Sequence, residues 1–232
     1  DGFISWGWSH KHIYESKIIP LPSLLLSKMT EWKGSVDQIL LLNNISPAYS
    51  YKLQSIQQPE DMIFHIKNTA KLISLLNDNI RSRLKLKLYV HDFGLSEKIY
   101  FRKYLDNDNI IGNTKISINE YFYKSKLIIF DHLGTGYLQS LSINAPTILF
   151  WNPSHFSILD NIKDDFIELE NCGIYHKTPE SAAQFINNNY NNLNLWWESK
   201  HVQDVKNKFI HKYALRNINY INYWIKYIKE LK

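Results

Sequence analysis

Uninterrupted apolar runs are the clearest pattern in the chain, and they occupy residues 39–42, 127–130 and 148–151. Such a run, with no polar alternation, is typical of a parallel strand that is covered on both faces of its sheet. We therefore predict buried strands at 37–43, 127–131 and 147–151. Further strands are expected at 3–8, 84–90, 110–111 and 174–175.

Apolar residues at helical spacing separate these strands. The sequence Pro-Glu-Asp at 59–61 is typical of a helix start, and the helical spacing continues to about residue 81. A second Pro-Glu pair at 179–180 begins a helix that is expected to end near residue 189. Shorter helices are expected from residue 96 and at 117–124, 135–143 and 162–171, and residues 195–231 are expected to be a helical tail with a break at 214–219.

This alternation predicts an α/β fold with a doubly wound parallel sheet, in which right-handed crossovers join the strands. We expect residues 1–190 to form this Rossmann-like domain. Residues 191–232 are expected to be a tail that Trp196, Trp197 and Trp224 fasten to it. Segment 9–22 is expected to be a loop. Because ligands of such sheets bind at the carboxyl ends of the strands, candidate site residues are sought there.

Composition and charge narrow the class of protein. The 232 residues are 44% apolar and 14% aromatic, so the chain can bury a sizeable core and is not a disordered segment. The formal charge of +5 is spread along the chain, which disfavours nucleic acid as a partner and suits an anionic ligand or a membrane surface. The single cysteine, Cys172, precludes an internal disulfide framework and agrees with a reducing cytoplasm. No apolar run reaches the length of a membrane span.

Residues 126–151 carry the strongest sign of a ligand site. Two buried strands there flank a Gly-Thr-Gly turn, formed by Gly134, Thr135 and Gly136, and a short helix. The glycines permit close backbone approach, and Thr135 occupies the position of a helix N-cap. Because N–H groups at a helix start favour phosphate, we predict that this turn binds phosphate together with His132. The alternative is a turn that only connects strand and helix, with Asp131 as its cap.

Other strand ends supply further candidates. His91 and Asp92 are candidates for acid–base catalysis or for orienting a sugar, while the alternative is that Asp92 caps a turn. Arg102 and Lys17 are candidates to add positive charge, or are solvated surface residues. Asn152 begins a turn that either shapes a base pocket or merely ends a strand. No metal is expected, because no carboxylate or cysteine spacing accompanies the histidines at 10, 12, 155 and 201.

Four segments taken in order, residues 1–8, 134–153, 173–183 and 196–203, resemble a signature of bacterial surface-carbohydrate transferases. Over nearly its whole length the chain resembles the C-terminal, donor-binding lobe of lipopolysaccharide and capsule glycosyltransferases of the two-lobed GT-B architecture. It is distantly similar to enzymes that transfer Kdo or sialic acid from CMP-activated donors. The resemblance implies that an N-terminal acceptor lobe precedes Asp1, which is not a methionine.

The resemblance also implies substrates, partners and contacts. It implies a nucleotide-sugar donor, a glycan or glycolipid acceptor, no nucleic acid, no cofactor and no required metal. It places the protein in the cytoplasm, where its charge and aromatic tail would tolerate peripheral association with the inner face of the membrane. The donor would contact His132, Gly134, Thr135, Gly136, Gln139, Arg102 and Asn152.

One position departs from the family pattern, because Gln139 stands where the family tends to have glutamate. A neutral amide can still hydrogen-bond a ribose hydroxyl, but it is not a charged acceptor. Two other functions therefore stay open. One is a non-catalytic binding or scaffold domain that kept the fold, and the other is a sugar-nucleotide epimerase, which has a similar two-lobed fold.

Overall fold

A computed structural model describes residues 2–9, 17–34, 36–49, 58–112 and 116–231. Residues 10–16 of the loop expected at 9–22, including His10 and His12, lie outside the described residues, and so do residues 50–57. Eight strands occur in the described ranges: β1 (Gly2–Ser5), β2 (Lys17–Pro20), β3 (Val36–Leu42), β4 (Leu84–Lys87), β5 (Ile110–Ile111), β6 (Ser125–Phe130), β7 (Thr147–Phe150) and β8 (Tyr175–His176).

Six of these strands form one parallel sheet in the order β5-β4-β3-β6-β7-β8. The central strand β3 lies between β4 and β6, so that Leu41 pairs with Leu86 on one side and with Ile129 on the other. With β3 numbered 1, this is the dinucleotide-binding strand order 3-2-1-4-5-6. The direction of winding reverses between β3 and β6, which is the place where such sheets leave a crevice for ligands. The predicted doubly wound parallel sheet is confirmed.

Helices cover both faces of this sheet, as the reversal of winding requires. Helix α2 (Pro59–Leu75) packs against α4 (Glu97–Phe101) and α8 (Pro179–Asn189), whereas α10 (Lys200–Tyr213) packs against α6 (Gly136–Ser142) and α7 (Lys163–Asn171). The remaining helices of the described residues are α1 (Leu24–Lys28), α3 (Asp78–Arg81), α5 (Ile118–Lys124), α9 (Leu193–Trp197) and α11 (Tyr220–Glu230). Within the described ranges, no helix combines the length and the apolar character that crossing a bilayer requires.

The apolar runs that predicted the strands form the centre of the core. Leu41, Ile129 and Ile148 are fully buried, and each such side chain contributes about 1.5–3 kcal/mol by its removal from water. At the end of β7 the ring of Trp151 packs 4.9 Å from Tyr175, measured between ring centroids. The strands are covered on both faces, which is why they lack polar alternation.

The helical tail is attached to the sheet domain through tryptophan hydrogen bonds. Trp196 Nε1 donates to the carbonyl of Cys172 at 2.8 Å, and Trp197 Nε1 donates to the carbonyl of Asn144 at 3.1 Å. The predicted break at 214–219 is confirmed, because α10 ends at Tyr213 and α11 begins at Tyr220.

Several boundaries differ from the sequence predictions. The strand expected at 3–8 ends at Ser5, and the tail expected from 195 begins with α9 at Leu193 and is also interrupted between α9 and α10. Segment 9–22 is not only a loop, because its residues 17–20 form β2, which pairs in parallel with β1 outside the main sheet. The helix expected at 59–81 is two helices, since Leu76 adopts an extended conformation between α2 and α3. The strand expected at 84–90 ends at Lys87, although the N–H of Leu88 still bonds to the carbonyl of Ile111 at 2.9 Å.

The helix expected at 162–171 is α7, and Gly173 follows its C-terminal end. Helix α7 ends with Cys172 as its C-cap, and Gly173 has a φ of +81°, in the left-handed region that favours glycine. This turn leads directly into β8 and sets the direction in which that edge strand enters the sheet.

Candidate functional site

A group of polar residues lies at the carboxyl ends of β3 and β6, and we call it the switch-point site; it is formed by Asn43, Asn44, His65, Asp131 and His132. Asn43 and Asn44 follow the carboxyl end of β3, while Asp131 and His132 follow the carboxyl end of β6. His65 reaches the site from α2. Because β3 and β6 are parallel neighbours, their carboxyl ends meet at the same edge of the sheet.

The carboxylate of Asp131 is the centre of this site and is fully buried. Its Oδ2 accepts hydrogen bonds from Asn43 Nδ2 at 2.6 Å and from Thr69 Oγ1 at 3.0 Å. His65 Nε2 lies 3.2 Å from the same oxygen, at ion-pair distance but without good hydrogen-bond alignment. The other oxygen, Oδ1, accepts from the backbone N–H of Asn44 at 3.2 Å. So many donors fix the carboxylate in one orientation.

Helix α2 supplies its part of the site because polar residues interrupt its buried face. His65 and Thr69 are buried and four residues apart, so they lie on the same side of the helix as the core residues Met62 and Ile66. The ring of Phe156 packs edge-on against His65, at 5.2 Å between centroids. The histidine is therefore held between the carboxylate and an aromatic ring.

His132 completes the site on the side of the Gly-Thr-Gly turn. Its Nδ1 lies 2.9 Å from Asp131 Oδ1, and the carboxylate can only accept there when it is ionised, so Nδ1 carries the proton. The ring packs on Phe130 at 6.1 Å between centroids. A Cβ on Gly134 would lie 3.0 Å from His132 Nε2, so a glycine at 134 lets the ring lie close to the turn.

Charge in the site favours an ionised Asp131. Burial opposes the ionisation, but the adjacent His65 and the hydrogen bond from His132 outweigh it and hold the pKa of Asp131 below its usual range. The amide oxygen of Asn43 is buried and has no hydrogen-bond partner among the described residues. An unpaired buried acceptor costs about 1–3 kcal/mol, and a bound ligand can remove that cost.

The turn itself differs from a standard helix cap. Thr135 occupies the N-cap position of α6, but it has helical backbone angles, and its side chain makes no capping hydrogen bond. The predicted N-cap position of Thr135 is confirmed, but its hydroxyl caps no backbone N–H, and the residue is exposed. Gly136 is required for packing, since a Cβ there would lie 2.8 Å from the ring of Phe130.

The remaining predicted site residues lie on other loops and helices. Asp92 Oδ1 accepts from the backbone N–H of Gly94 at 2.8 Å, which is the turn-capping alternative, and the exposed ring of His91 packs near Phe93 at 6.1 Å. The loop that carries them meets the loop after β3, because the N–H of Ala48 bonds to the carbonyl of Phe93 at 3.0 Å.

Three further candidates are not among the residues that contact Asp131: Arg102, Asn152 and Gln139. Arg102 is exposed at the end of α4 and donates from Nε to Asn107 Oδ1 at 2.8 Å. Asn152 Oδ1 accepts from the N–H of Ser154 at 2.9 Å, so its side chain closes the turn after β7. Gln139 is half-buried on α6, one turn from the start of the helix. Their assignment to donor binding stays a prediction.

Some residues that the sequence reasoning did not single out make more contacts in the site than Arg102, Asn152 and Gln139 do. His65 and Thr69 are one example, and the only signal in the sequence is a pair of polar residues on an otherwise apolar helix face. Glu97 is another buried acid, at the start of α4, and one of its carboxyl oxygens has no hydrogen-bond partner among the described residues. Burial raises the pKa of Glu97, and the nearby Asp92 adds to that effect. It thus adds a carboxyl group to the loop of His91.

An aromatic cavity of about 330 Å³ lies beside the first turn of α6. Its lining includes Trp8, Tyr137, Phe166, Phe209 and Tyr213. Aromatic faces with a few hydroxyl groups can stack on rings of a ligand. Among the described residues, no group of three or more His, Cys, Asp or Glu side chains is arranged to hold a metal ion.

Comparisons with known proteins identify the family. A search of curated proteins finds no match. Among solved structures, the chain is similar to WaaG, a glycosyltransferase involved in lipopolysaccharide biosynthesis, at 13% identity and a TM-score of 0.45, with 76% of this chain and 44% of that chain covered. The chain thus spans less than half the length of WaaG, and a similarity at this level carries no argument about the reaction. The family profile of the LIC12162 transferases matches residues 1–228, and the protein therefore belongs to the LIC12162 family of transferases.

Proposed function

We propose that the chain is the donor-binding part of a glycosyltransferase that takes a sugar from a nucleotide-activated donor, with CMP as the nucleotide, for cell-surface polysaccharide. The observation that supports this most directly is the buried Asp131 that holds His132 at the switch point of a Rossmann-like sheet. Membership of a transferase family supports the class of reaction. The GT-B architecture belongs to the same proposal.

In this function the sugar leaves a phosphate oxygen of the nucleotide and is transferred to an acceptor hydroxyl. The bond from the anomeric carbon to that oxygen breaks, so negative charge develops on the phosphate. His132 lies where it can meet this charge, and the exposed Thr135 hydroxyl adds a neutral donor. Fixed donors aimed at developing charge lower the barrier because they need no rearrangement during the reaction.

Activation of the acceptor hydroxyl is the second part of the proposed reaction. His91 and Asp92 are the proposed acid–base pair, and Glu97 is a buried carboxyl next to them. The aromatic cavity beside α6 suits a sugar ring. A glycan or glycolipid acceptor, an additional acceptor lobe, a cytoplasmic location and contact with the inner face of the membrane complete the proposal.

Nucleotide binding tests the proposal. Titration calorimetry with CMP, UDP and GDP should detect binding of at least one nucleotide, and His132→Gln should weaken it about tenfold, since one charge-assisted hydrogen bond is lost. The matched control is His201→Gln, which changes an exposed histidine on α10 and should leave the affinity unchanged.

Product analysis then separates the candidate functions. A transferase releases nucleotide from its donor only together with a new glycosidic bond on the acceptor. An epimerase changes the donor when no acceptor is present. If none of the three nucleotides binds at millimolar concentration, the proposal is refuted.

A further inference from the structure

We propose that Asp131 is a positioning residue that keeps the proton of neutral His132 on Nδ1, so that Nε2 binds a phosphate oxygen only when the ring takes up a second proton. The inference deepens the proposed function and rests on it for the identity of the anion. It predicts that donor binding by this site is switched by pH.

The argument begins with the unequal surroundings of the two carboxylate oxygens. On Oδ2 three side-chain groups converge: Asn43 Nδ2 at 2.6 Å, Thr69 Oγ1 at 3.0 Å and His65 Nε2 at 3.2 Å. On Oδ1 are the backbone N–H of Asn44, at 3.2 Å, and His132 Nδ1, at 2.9 Å. The donors on Oδ2 come from the residue after β3 and from α2, so they hold Oδ1 in place towards His132.

This arrangement decides which nitrogen of His132 carries the proton. An ionised carboxylate accepts hydrogen bonds and donates none, so the nitrogen that faces Asp131 must be Nδ1–H. In the neutral ring, Nε2 then carries a lone pair, which a phosphate oxygen repels. In the protonated ring Nε2–H becomes a donor, and its charge-assisted bond to phosphate is shorter and stronger than a neutral one.

The titratable groups around His132 are few in the described part of the chain. Asp131 and His65 are the charged or chargeable groups that contact the site directly. One turn along α2 from His65, Asp61 Oδ1 is bonded to His155 Nδ1 at 2.8 Å, and this second pair stacks on Phe64. The remaining contacts are the neutral Asn43, Asn44 and Thr69 together with the rings of Phe130 and Phe156.

The variant Asp131→Asn should reverse the tautomer. Its amide oxygen is expected at the Oδ2 position, because two side-chain donors, Asn43 Nδ2 and Thr69 Oγ1, point there, whereas the Oδ1 position faces one backbone donor, the N–H of Asn44 at 3.2 Å. The amide nitrogen then faces His132 Nδ1 and donates to it. The proton of the neutral ring must therefore move to Nε2, where it can bond to phosphate at any pH without a positive charge.

Nitrogen NMR of ¹⁵N-histidine-labelled protein tests this without ligand. The expected result is a neutral Nδ1–H tautomer for His132 in the wild type and an Nε2–H tautomer in Asp131→Asn, with assignment by His132→Gln. The matched control is Asp61→Asn, which makes the same change in the second Asp–His pair and should leave the His132 signals in place. The buried His176 serves as an internal reference, because its nitrogens contact Ser181 and Gly173.

Nucleotide affinity supplies the second readout. For CMP, or whichever of UDP and GDP binds, the wild-type affinity should fall about tenfold between pH 5.5 and pH 8, because the protonated ring donates a hydrogen bond from Nε2 and the neutral ring does not. The affinity of Asp131→Asn should be nearly flat over that range, and calorimetry in two buffers should show proton uptake on binding only in the wild type.

Two results overturn the inference: an Nε2–H tautomer of His132 in the wild type, or a wild-type affinity with no pH dependence beyond that of Asp131→Asn. If Asp131→Asn does not fold, the wild-type tautomer still decides the question. If no nucleotide binds at all, the proposed function fails and the anion-binding part of the inference fails with it, whereas the ligand-free spectrum still shows whether Asp131 positions the ring.

Discussion

His176 should make the protein sensitive to mild acid. This side chain lies in β8 and is 5% exposed. Its Nε2 lies 3.1 Å from the carbonyl of Gly173, which can only accept, so Nε2 carries the proton. Its Nδ1 accepts from the hydroxyl of Ser181 at 2.9 Å. The neutral ring is therefore fully hydrogen-bonded, and a second proton would place a charge in a buried position.

The size of this effect on the free energy of unfolding follows from the pKa of His176 in the folded and in the unfolded protein. Burial lowers the pKa of His176 from 6.5 to about 4 in the folded protein, although the carbonyl of Gly173 and the charge of Glu170 act in the opposite direction. Each pKa unit corresponds to about 1.4 kcal/mol, so the unfolded state gains about 3 kcal/mol from protonation of this residue. The full stability is present above pH 6.5 and is lost as the pH falls towards 4, because only the unfolded state binds the proton in that range.

The assay is urea unfolding, followed by tryptophan fluorescence at a series of pH values between 4 and 7.5. The free energy of unfolding of the wild type should fall about 3 kcal/mol further across this range than that of His176→Gln. All other titrating groups contribute to both proteins, so the difference between the two pH dependences is the contribution of His176. His201→Gln, at an exposed position, should show the wild-type slope. If the free energies of unfolding of the wild type and of His176→Gln change with pH in parallel, to within about 0.5 kcal/mol, the reasoning is refuted.

Two further predictions concern the core and the turn before β8. Leu41→Ala should lower the free energy of unfolding by about 2–5 kcal/mol in urea titrations, because Leu41 is fully buried in β3, while Leu195→Ala, 76% exposed, should change it by less than about 0.5 kcal/mol. Equal losses would contradict the assigned core. Gly173→Ala should cost about 1–3 kcal/mol in the same assay, because φ is +81° and the new Cβ would lie 2.5 Å from the ring of Phe185. Gly112→Ala should be nearly neutral, because no atom of the described residues other than its chain neighbours lies within 4 Å of the new Cβ. A large loss of stability in Gly112→Ala would show that the argument from available space fails.

Local sequence patterns were sufficient for most of the fold. Continuous apolar runs at 39–42, 127–130 and 148–151 correctly predicted the three central strands, because strands covered on both faces must be apolar at every position. Proline followed by acids correctly predicted the starts of α2 and α8. Strand β2 was missed, because its four residues pair with β1 across a sequence gap, and a short partner strand leaves no periodic pattern of its own.

The candidate site was predictable only in part. His132, Gly134 and Gly136 could be named because a glycine-rich turn after a buried strand is a local feature. Thr135 was placed correctly at the N-cap of α6, but the lack of a capping bond could not be foreseen, because capping depends on backbone angles that composition does not set. His65 could not be named, because the sequence does not show which polar residue of α2 faces the end of β6.

The amino-acid sequence by itself determined the parallel sheet, its flanking helices and the turn after β6, because these follow from apolar periodicity and from the conformational range of glycine and proline. Only the tertiary structure decided that Asp131 receives hydrogen bonds from Asn43, just after β3, and from Thr69 on α2, which lie 88 and 62 residues away along the chain. Those contacts depend on strand order and helix rotation, and they settle which nitrogen of His132 holds a proton. A buried carboxylate has no such preference until the folded chain brings its donors together.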